Sequence, residues 1–234
     1  MEVVALMHDQ IAKYTRKLLS DRSADPHRIA FAAQDDVMVF SGEPELARLA
    51  GDVLGQLNCL ALAVAQPSLP FAELLIQRAG TAEQRIVPRD TETRTFLHDI
   101  PILRQCELGS TPATTIARLL GNRKGIVVEG TGIVATGGLT VEQGYINWSS
   151  VFHSTFIKYL EDVLEHGFQL PGEGEAFVRF RRDWLLPLSA EGLEFRTGPI
   201  MEKPVILDEI ARVWSYTVQR GLVDSFFGNI SYSD

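Results

Sequence analysis

"KGIVVEGTGIVATGGLTVEQGYINWSSVF", residues 124–152, is the stretch that decides the fold. Two β-branched runs, "GIVV" and "GIVAT", flank a glycine-rich kink, and their length and composition predict two short strands. Glycine inside a strand pattern marks a bulge or a close backbone approach. Thr140 then opens the strongest helix of the chain, with Gln143 completing a capping box. Val141, Tyr145, Trp148, Phe152, Phe156, Tyr159 and Val163 recur on one face. Gly167 lies just past the end of that pattern.

Working outward, strands and helices alternate, which points to the α/β class. "STPATTIARLLGN" predicts a helix, with Thr111 able to cap it, Pro112 in the first turn and Gly121 at the end. "CLALAVA", residues 59–65, is a continuous apolar run that suits a strand buried on both faces, with Cys59 as a small buried hydrophobe. "FAELLIQRAG" reads as a short helix closed by Gly80. "RIVP" suits a strand, and "DTETRTFL" is ambiguous. Further upstream, "SGEPELARLAGDVLGQL" has Pro44 near a helix start and one apolar side. "IAFAA" and "VMVF" are strand-like around a "QDD" turn, and residues 2–19 carry helical spacing. Downstream, residues 167–204 read as a connector with one or two strands, and residues 207–219 as a last amphipathic helix.

Composition narrows the function. The chain has 234 residues, of which 45% are hydrophobic, and that is ample material for a core. Its net charge of −8 argues against a nucleic-acid partner and against docking on anionic lipid. The basic cluster "RFRRD" (Arg179, Arg181, Arg182) reads as a solvated face or a salt-bridged strand. Cys59 and Cys106 do not make a disulfide scaffold. No stretch approaches the ~20 apolar residues of a membrane span, and nothing reads as a signal peptide, so the expectation is a cytoplasmic protein.

Local chemical motifs are sparse. His8, His27, His98, His153 and His166 show neither H-x-H nor H-x₃-H spacing, so no sequence-local zinc site is expected. Walker, Rossmann and nucleophile-elbow patterns are absent from the sequence. "GNIS" near the C-terminus is more specific. Backbone N–H groups in such a turn can form an anion-binding nest, with Gly228, Asn229 and Ser231 contacting phosphate. An ordinary turn using Gly and Asn for unusual backbone angles is the alternative.

Here the sequence resembles a family. "ARVWSYTVQRGLVDSFFGNISYS" resembles the opening of class II aldolase/adducin domains: a helix, then "GLV", then a phosphate-gripping loop. Phe227 stands where that loop usually has a small residue. Residues 100–152 resemble the later half of the same domain, with a strand, a G-S turn, a helix, a strand pair and a long helix. "CLALAVAQPSLPFAELL" resembles the family's buried strand and its histidine-bearing continuation, and "SGEPELARLA" its acidic segment ahead of a helix.

The resemblance implies a three-layer αβα fold around a mixed, largely antiparallel sheet. It implies a degenerate aldolase-like domain over residues 1–166, a connector over 167–204, and the opening helix, loop and strand of a second domain over 205–234. A permuted single domain, with the tail folding back, is the alternative. Glu43 falls at the family's general acid/base, and the three zinc-ligand histidines fall at Gln66, Ser68 and Thr131.

Zinc in a catalytic site takes about three nitrogen, sulfur or carboxylate ligands from the protein. Neutral amide and hydroxyl oxygens are poor substitutes. The expectation is therefore no metal or other cofactor in this chain, with zinc bound only if a complete site exists elsewhere. Three functions follow. The first is a non-catalytic binding, assembly or regulatory portion, homo-oligomeric by family habit and able to hold a sugar phosphate. The second is a metal-dependent sugar-phosphate aldolase (a lyase) completed by a following domain or neighbouring subunit. The third, without the resemblance, is an α/β ligand-binding protein with a pocket near "GTGIVATGG".

Overall fold

A computed structural model describes residues 2–80, 83–184, 192, 194–219, 230 and 231. The chain forms two compact units, Met1–Arg182 and Asp183–Asp234.

The first unit is built on one seven-stranded sheet. In chain order the strands are β1 (Ala24–Gln34), β2 (Met38–Gly42), β3 (Ala61–Pro67), β4 (Arg85–Ile86), β5 (Ile100–Leu103), β6 (Gly125–Val128) and β7 (Gly132–Gly137). Their spatial order is β2-β1-β3-β7-β6-β5-β4. β5 pairs with β6 in parallel, and every other neighbouring pair is antiparallel. The sheet is thus mixed and largely antiparallel, as expected.

Two layers of helix cover it. α2 (Pro44–Leu54) and α5 (Pro112–Leu120) pack on one face. Leu46, Val53, Leu54, Ile116 and Leu120 meet Leu62, Val64, Ile126 and Val134 of the strands there. α1 (Glu2–Ser20), α3 (Phe71–Arg78) and α6 (Val141–His166) share the other layer, with α1 and α6 lying on the strands and α3 and α4 (Thr91–Leu97) packed against α6. β3 is buried on both faces, which is why its sequence runs apolar without alternation. Its alanines, Ala61, Ala63 and Ala65, are fully buried and form the low floor that lets α6 approach. Trp148 of α6, wholly buried, donates its indole N–H to the Ala65 carbonyl at 3.2 Å. That bond satisfies a polar atom that burial would otherwise leave costly.

Several local expectations change in detail. The strand expected over residues 59–65 runs over Ala61–Pro67, and Cys59 is half-buried ahead of it rather than in the core. Thr111 precedes α5, but its side chain makes no cap. Thr140 Oγ1 does accept the Gln143 N–H, at 3.1 Å, whereas Gln143 reaches back to Leu139 N rather than to Thr140. The ambiguous "DTETRTFL" forms α4, with the Asp90 carboxylate capping Thr93 N at 2.7 Å.

Among the described residues of 167–204 no expected strand forms, and residues there build a helix, α7 (Glu173–Asp183). Ala176 and Phe180 are buried four residues apart, a helical period that the aromatic-rich sequence disguised. Arg179, Arg181 and Arg182 lie exposed on it. Glu173, with its side chain wholly buried, pairs with Arg78 of α3 at 2.5 Å and accepts the N–H groups of Gln169 and Leu170. Those contacts lower its pKa to about 2 despite burial.

In the second unit, α8 (Lys203–Gln219) begins earlier than expected, with Pro204 in its first turn. Arg196 and Arg212 both approach Glu209, at 3.4 and 3.5 Å. No described helix is long and apolar enough to cross a membrane.

Candidate functional site

The sheet brings the three expected ligand positions to one end. β3 and β7 are paired with Ala65 opposite Ile133. Continued outward, that register sets Gln66 opposite Gly132 and Pro67 opposite Thr131, so Thr131 faces the segment between Gln66 and Ser68. The approach is close. Gly132 has φ +114°, and a Cβ there would lie 2.5 Å from the Ala65 oxygen and 2.6 Å from Gln66 Cα. Only glycine fits such a site. The "EGTG" kink is therefore the tight turn that lays Thr131 against the end of β3.

Each of the three side chains is neutral, and each position has a local role in the fold. Gln66 is half-buried at the strand end. Ser68 is exposed; its hydroxyl donates to the Arg22 carbonyl at 2.5 Å and its N–H to the Ser23 carbonyl at 2.9 Å. Thr131 N–H closes the turn onto Val128 O at 3.0 Å. This donor set does not fit a zinc ion. Among the described residues, the one trio of metal-capable side chains drawn together is Asp162, Glu165 and His166 on the last turns of α6. Lys158 and Arg89 already pair with that group.

Glu43 stands at the start of α2, beside the same end of β1. Its Oε2 accepts the Leu46 N–H at 2.8 Å and its Oε1 the Glu45 N–H at 3.2 Å. The side chain is thus the N-cap of the helix, anchored by its own N–H to Ile29 O at 2.9 Å. The bonds from Leu46 and Glu45 hold its carboxyl below the ordinary glutamate range, with Arg28 and Arg48 adding to the effect. A general acid/base working near neutral pH needs the opposite shift.

Two residues that sequence reading missed complete the cluster. Glu73 of α3 accepts the Gly130 N–H at 2.8 Å, and Arg28 of β1 donates to the Gly130 carbonyl at 3.3 Å. The turn that carries Thr131 is therefore gripped from both sides. Burial pushes the Glu73 carboxyl up, the Gly130 bond opposes that, and the charge of Glu129 adds to it. Arg28 keeps one buried N–H, at Nε, with no partner among the described residues. The available signals were an arginine next to the apolar run "IAFAA" and an acid in the first turn of "FAELLIQR". Both are commonplace by themselves.

Gly228 and Asn229 of the expected phosphate loop lie outside the described residues, and Ser231 is exposed. All five histidines are exposed. One of them, His27, sits in the irregular stretch of β1 between Ala24 and Ile29, which borders this end of β3. A single exposed imidazole does not make up a three-ligand zinc set.

A search of family models gives no match to the sequence, and a search of curated proteins gives none either. Solved structures do match. The L-fuculose-1-phosphate aldolase of Thermus thermophilus superposes with a TM-score of 0.58 at 14% identity, over 71% of this chain and 99% of that one. The fold is class II aldolase/adducin-like. YgbL from Escherichia coli matches with a TM-score of 0.56 at 10% identity, over 74% of this chain and 97% of that one. A further L-fuculose 1-phosphate aldolase matches with a TM-score of 0.53 at 14% identity, over 75% and 95% of the two chains. At this end of the aldolase-like scaffold, Gln66, Ser68 and Thr131 offer neutral oxygens, which are poor donors for zinc.

Proposed function

We propose that this chain is a non-catalytic binding and assembly module on an aldolase scaffold. One observation carries the reading: Glu43, the expected acid/base, is spent as a helix cap with a lowered pKa, beside three neutral side chains at the expected ligand positions. Aldol chemistry of this class needs a Lewis acid at the carbonyl and a base whose pKa suits the proton it moves. Gln66, Ser68 and Thr131 supply oxygen donors that favour hydrogen bonding over zinc coordination.

The same end suits a ligand with an anionic group. Arg28 carries an unspent buried N–H there. A sugar phosphate, the substrate class in the names of two structural neighbours, has the required chemistry. Separately from that end, Gly228, Asn229 and Ser231 are proposed as phosphate contacts of the C-terminal segment, and a homo-oligomer is the proposed assembly.

The test combines a lyase assay with ligand binding. Purified protein is incubated with zinc and a panel of ketose 1-phosphates, and release of dihydroxyacetone phosphate is followed. The reading predicts no release, together with thermal stabilisation by the sugar phosphates that is lost in Arg28→Ala. Zinc-dependent release abolished by Glu43→Gln would overturn it and establish the aldolase alternative.

A further inference from the structure

The other end of the sheet holds a groove of about 1430 Å³. It opens between the segment ahead of β3, the turn from α4 to β5, the last turn of α5 and the start of β6. Leu57, Phe96, Ala117 and Leu120 give it an apolar floor. Arg118, Arg123, Lys124 and His98 line it against one lining carboxylate, Glu92. In a chain of net charge −8 this is a local reversal of sign. Clefts of one charge with low-dielectric walls concentrate counter-ions.

The cations are not equivalent. Arg123 is committed to Asp99, with Nη2 to Oδ2 at 3.1 Å. Among the described residues Arg118 and Lys124 have no carboxylate partner. Lys124 Nζ instead lies 3.2 Å from the centroid of the Phe96 ring. Partial burial there holds its pKa below the ordinary lysine value, a cost that a bound anion would relieve.

A second feature points to the same place. His98 has φ 65° and ψ −69°, and Asp99 N–H bonds Leu97 O at 2.9 Å across it. This is a γ-turn of the rare, strained hand. It is held by Asp99, which Arg123 clamps and Arg85 approaches at 3.3 Å. Strain of this kind persists where surrounding structure imposes it, and it concentrates at ligand sites. Here it fixes a histidine on the groove wall.

We propose that this groove binds a small organic anion, with its phosphate or carboxylate group on Arg118 and Lys124 and a flat apolar body over Leu57, Phe96 and Ala117. A groove this size exceeds the ~300–1,000 Å³ of most small-molecule sites, so an inorganic ion would leave its floor unused. The site lies at the opposite end of the strands from Gln66 and Thr131, and it does not depend on the reading of that end.

Calorimetric titration of the full chain tests it, with phenyl phosphate and benzoate as probes and inorganic phosphate as the comparison. Saturable binding of one organic anion per chain is expected, weakening with salt, with inorganic phosphate about tenfold weaker or worse. Arg118→Gln and Lys124→Met should each weaken the organic probe about fivefold or more, and Glu92→Gln should tighten it. Gln66→Ala and Thr131→Ala should leave it unchanged, which separates this site from the other end. Absence of saturable binding by either probe, affinity indifferent to Arg118 and Lys124, or equal affinity for inorganic phosphate would overturn the proposal.

Discussion

Glu43 Oε2 accepts the backbone N–H of Leu46 at 2.8 Å, which makes the carboxylate at the expected acid/base position the N-cap of α2. An acidic cap satisfies an orphan N–H and sits favourably at the positive end of the helix dipole. Glu43→Ala should therefore lower the melting temperature, and Glu43→Asp, a better cap by residue type, should retain it. The folded pKa is depressed below the ordinary 4.5, so the contribution is present above that value and is lost as pH falls through the folded pKa. Thermal melts of the parent and Glu43→Ala should converge in acid. A Glu43→Ala penalty that persists undiminished at low pH would contradict the capping role.

Glu73 gives the opposite sign. Burial raises its pKa, so the folded state binds more protons than the unfolded one just above the ordinary glutamate range. Its contribution to stability falls as pH rises through that window. Glu73→Gln keeps an oxygen for the Gly130 N–H and removes the charge. Urea denaturation should show this variant more stable than the parent at pH 7, and the gain should vanish below the ordinary glutamate pKa. Glu73→Ala, which orphans the N–H, should be less stable than Glu73→Gln at both pH values.

The pair of Arg78 and Glu173 is the interior electrostatic contact with most at stake, with side-chain exposures of 7% and 0%. Removing one partner orphans a buried charge, so Glu173→Ala should cost ~3 kcal/mol by chemical denaturation. The Glu173 pKa falls from 4.5 to about 2, so its contribution is full above the unfolded value and disappears as pH drops through 2. Arg78→Met with Glu173→Leu should recover much of the loss, because the interior then holds no lone charge.

Gly132→Ala should be destabilising by ~2 kcal/mol or more. The new Cβ would press on the Ala65 oxygen and Gln66 Cα at a φ that L residues avoid. The same variant should displace Thr131 from the end of β3, and sugar-phosphate binding at that end should weaken with it. Gly109→Ala, at a positive φ with nothing nearby, isolates the conformational part of the penalty and should cost less.

His98→Gly should raise the melting temperature, because glycine adopts φ 65° without strain, and it should weaken organic-anion binding in the groove. A stability gain of ~1 kcal/mol is the expected scale, offset in part by the entropy of an added glycine.

The sheet and its long helix were legible in the sequence because their signals are redundant. β-branched runs, glycine kinks and the aromatic stripe of α6 all agree, and tertiary packing reinforces each. α7 was not legible. Its residues 173–183 mix arginine and phenylalanine with a glycine in the first turn, and its decisive contact is the long-range pair of Glu173 with Arg78. Nothing local announces such a pair. The site divides in the same way. Gln66, Ser68, Thr131 and Glu43 were named in the sequence because the family resemblance carried them. Glu73 and Arg28 were missed because their importance lies in gripping Gly130, more than fifty residues away from each. The groove was invisible for the same reason, since segments far apart in the chain build it.

The proposed function rests on Gln66, Ser68 and Thr131 standing at ligand positions that their neutral side chains do not equip to hold zinc. Competitive zinc titration of the parent chain and of a variant carrying Gln66→His, Ser68→His and Thr131→His tests it directly. The account predicts no stoichiometric zinc retained by the parent after dialysis, and one zinc per chain gained by the triple variant. Stoichiometric zinc on the parent, released by Gln66→Ala or Thr131→Ala, would contradict it.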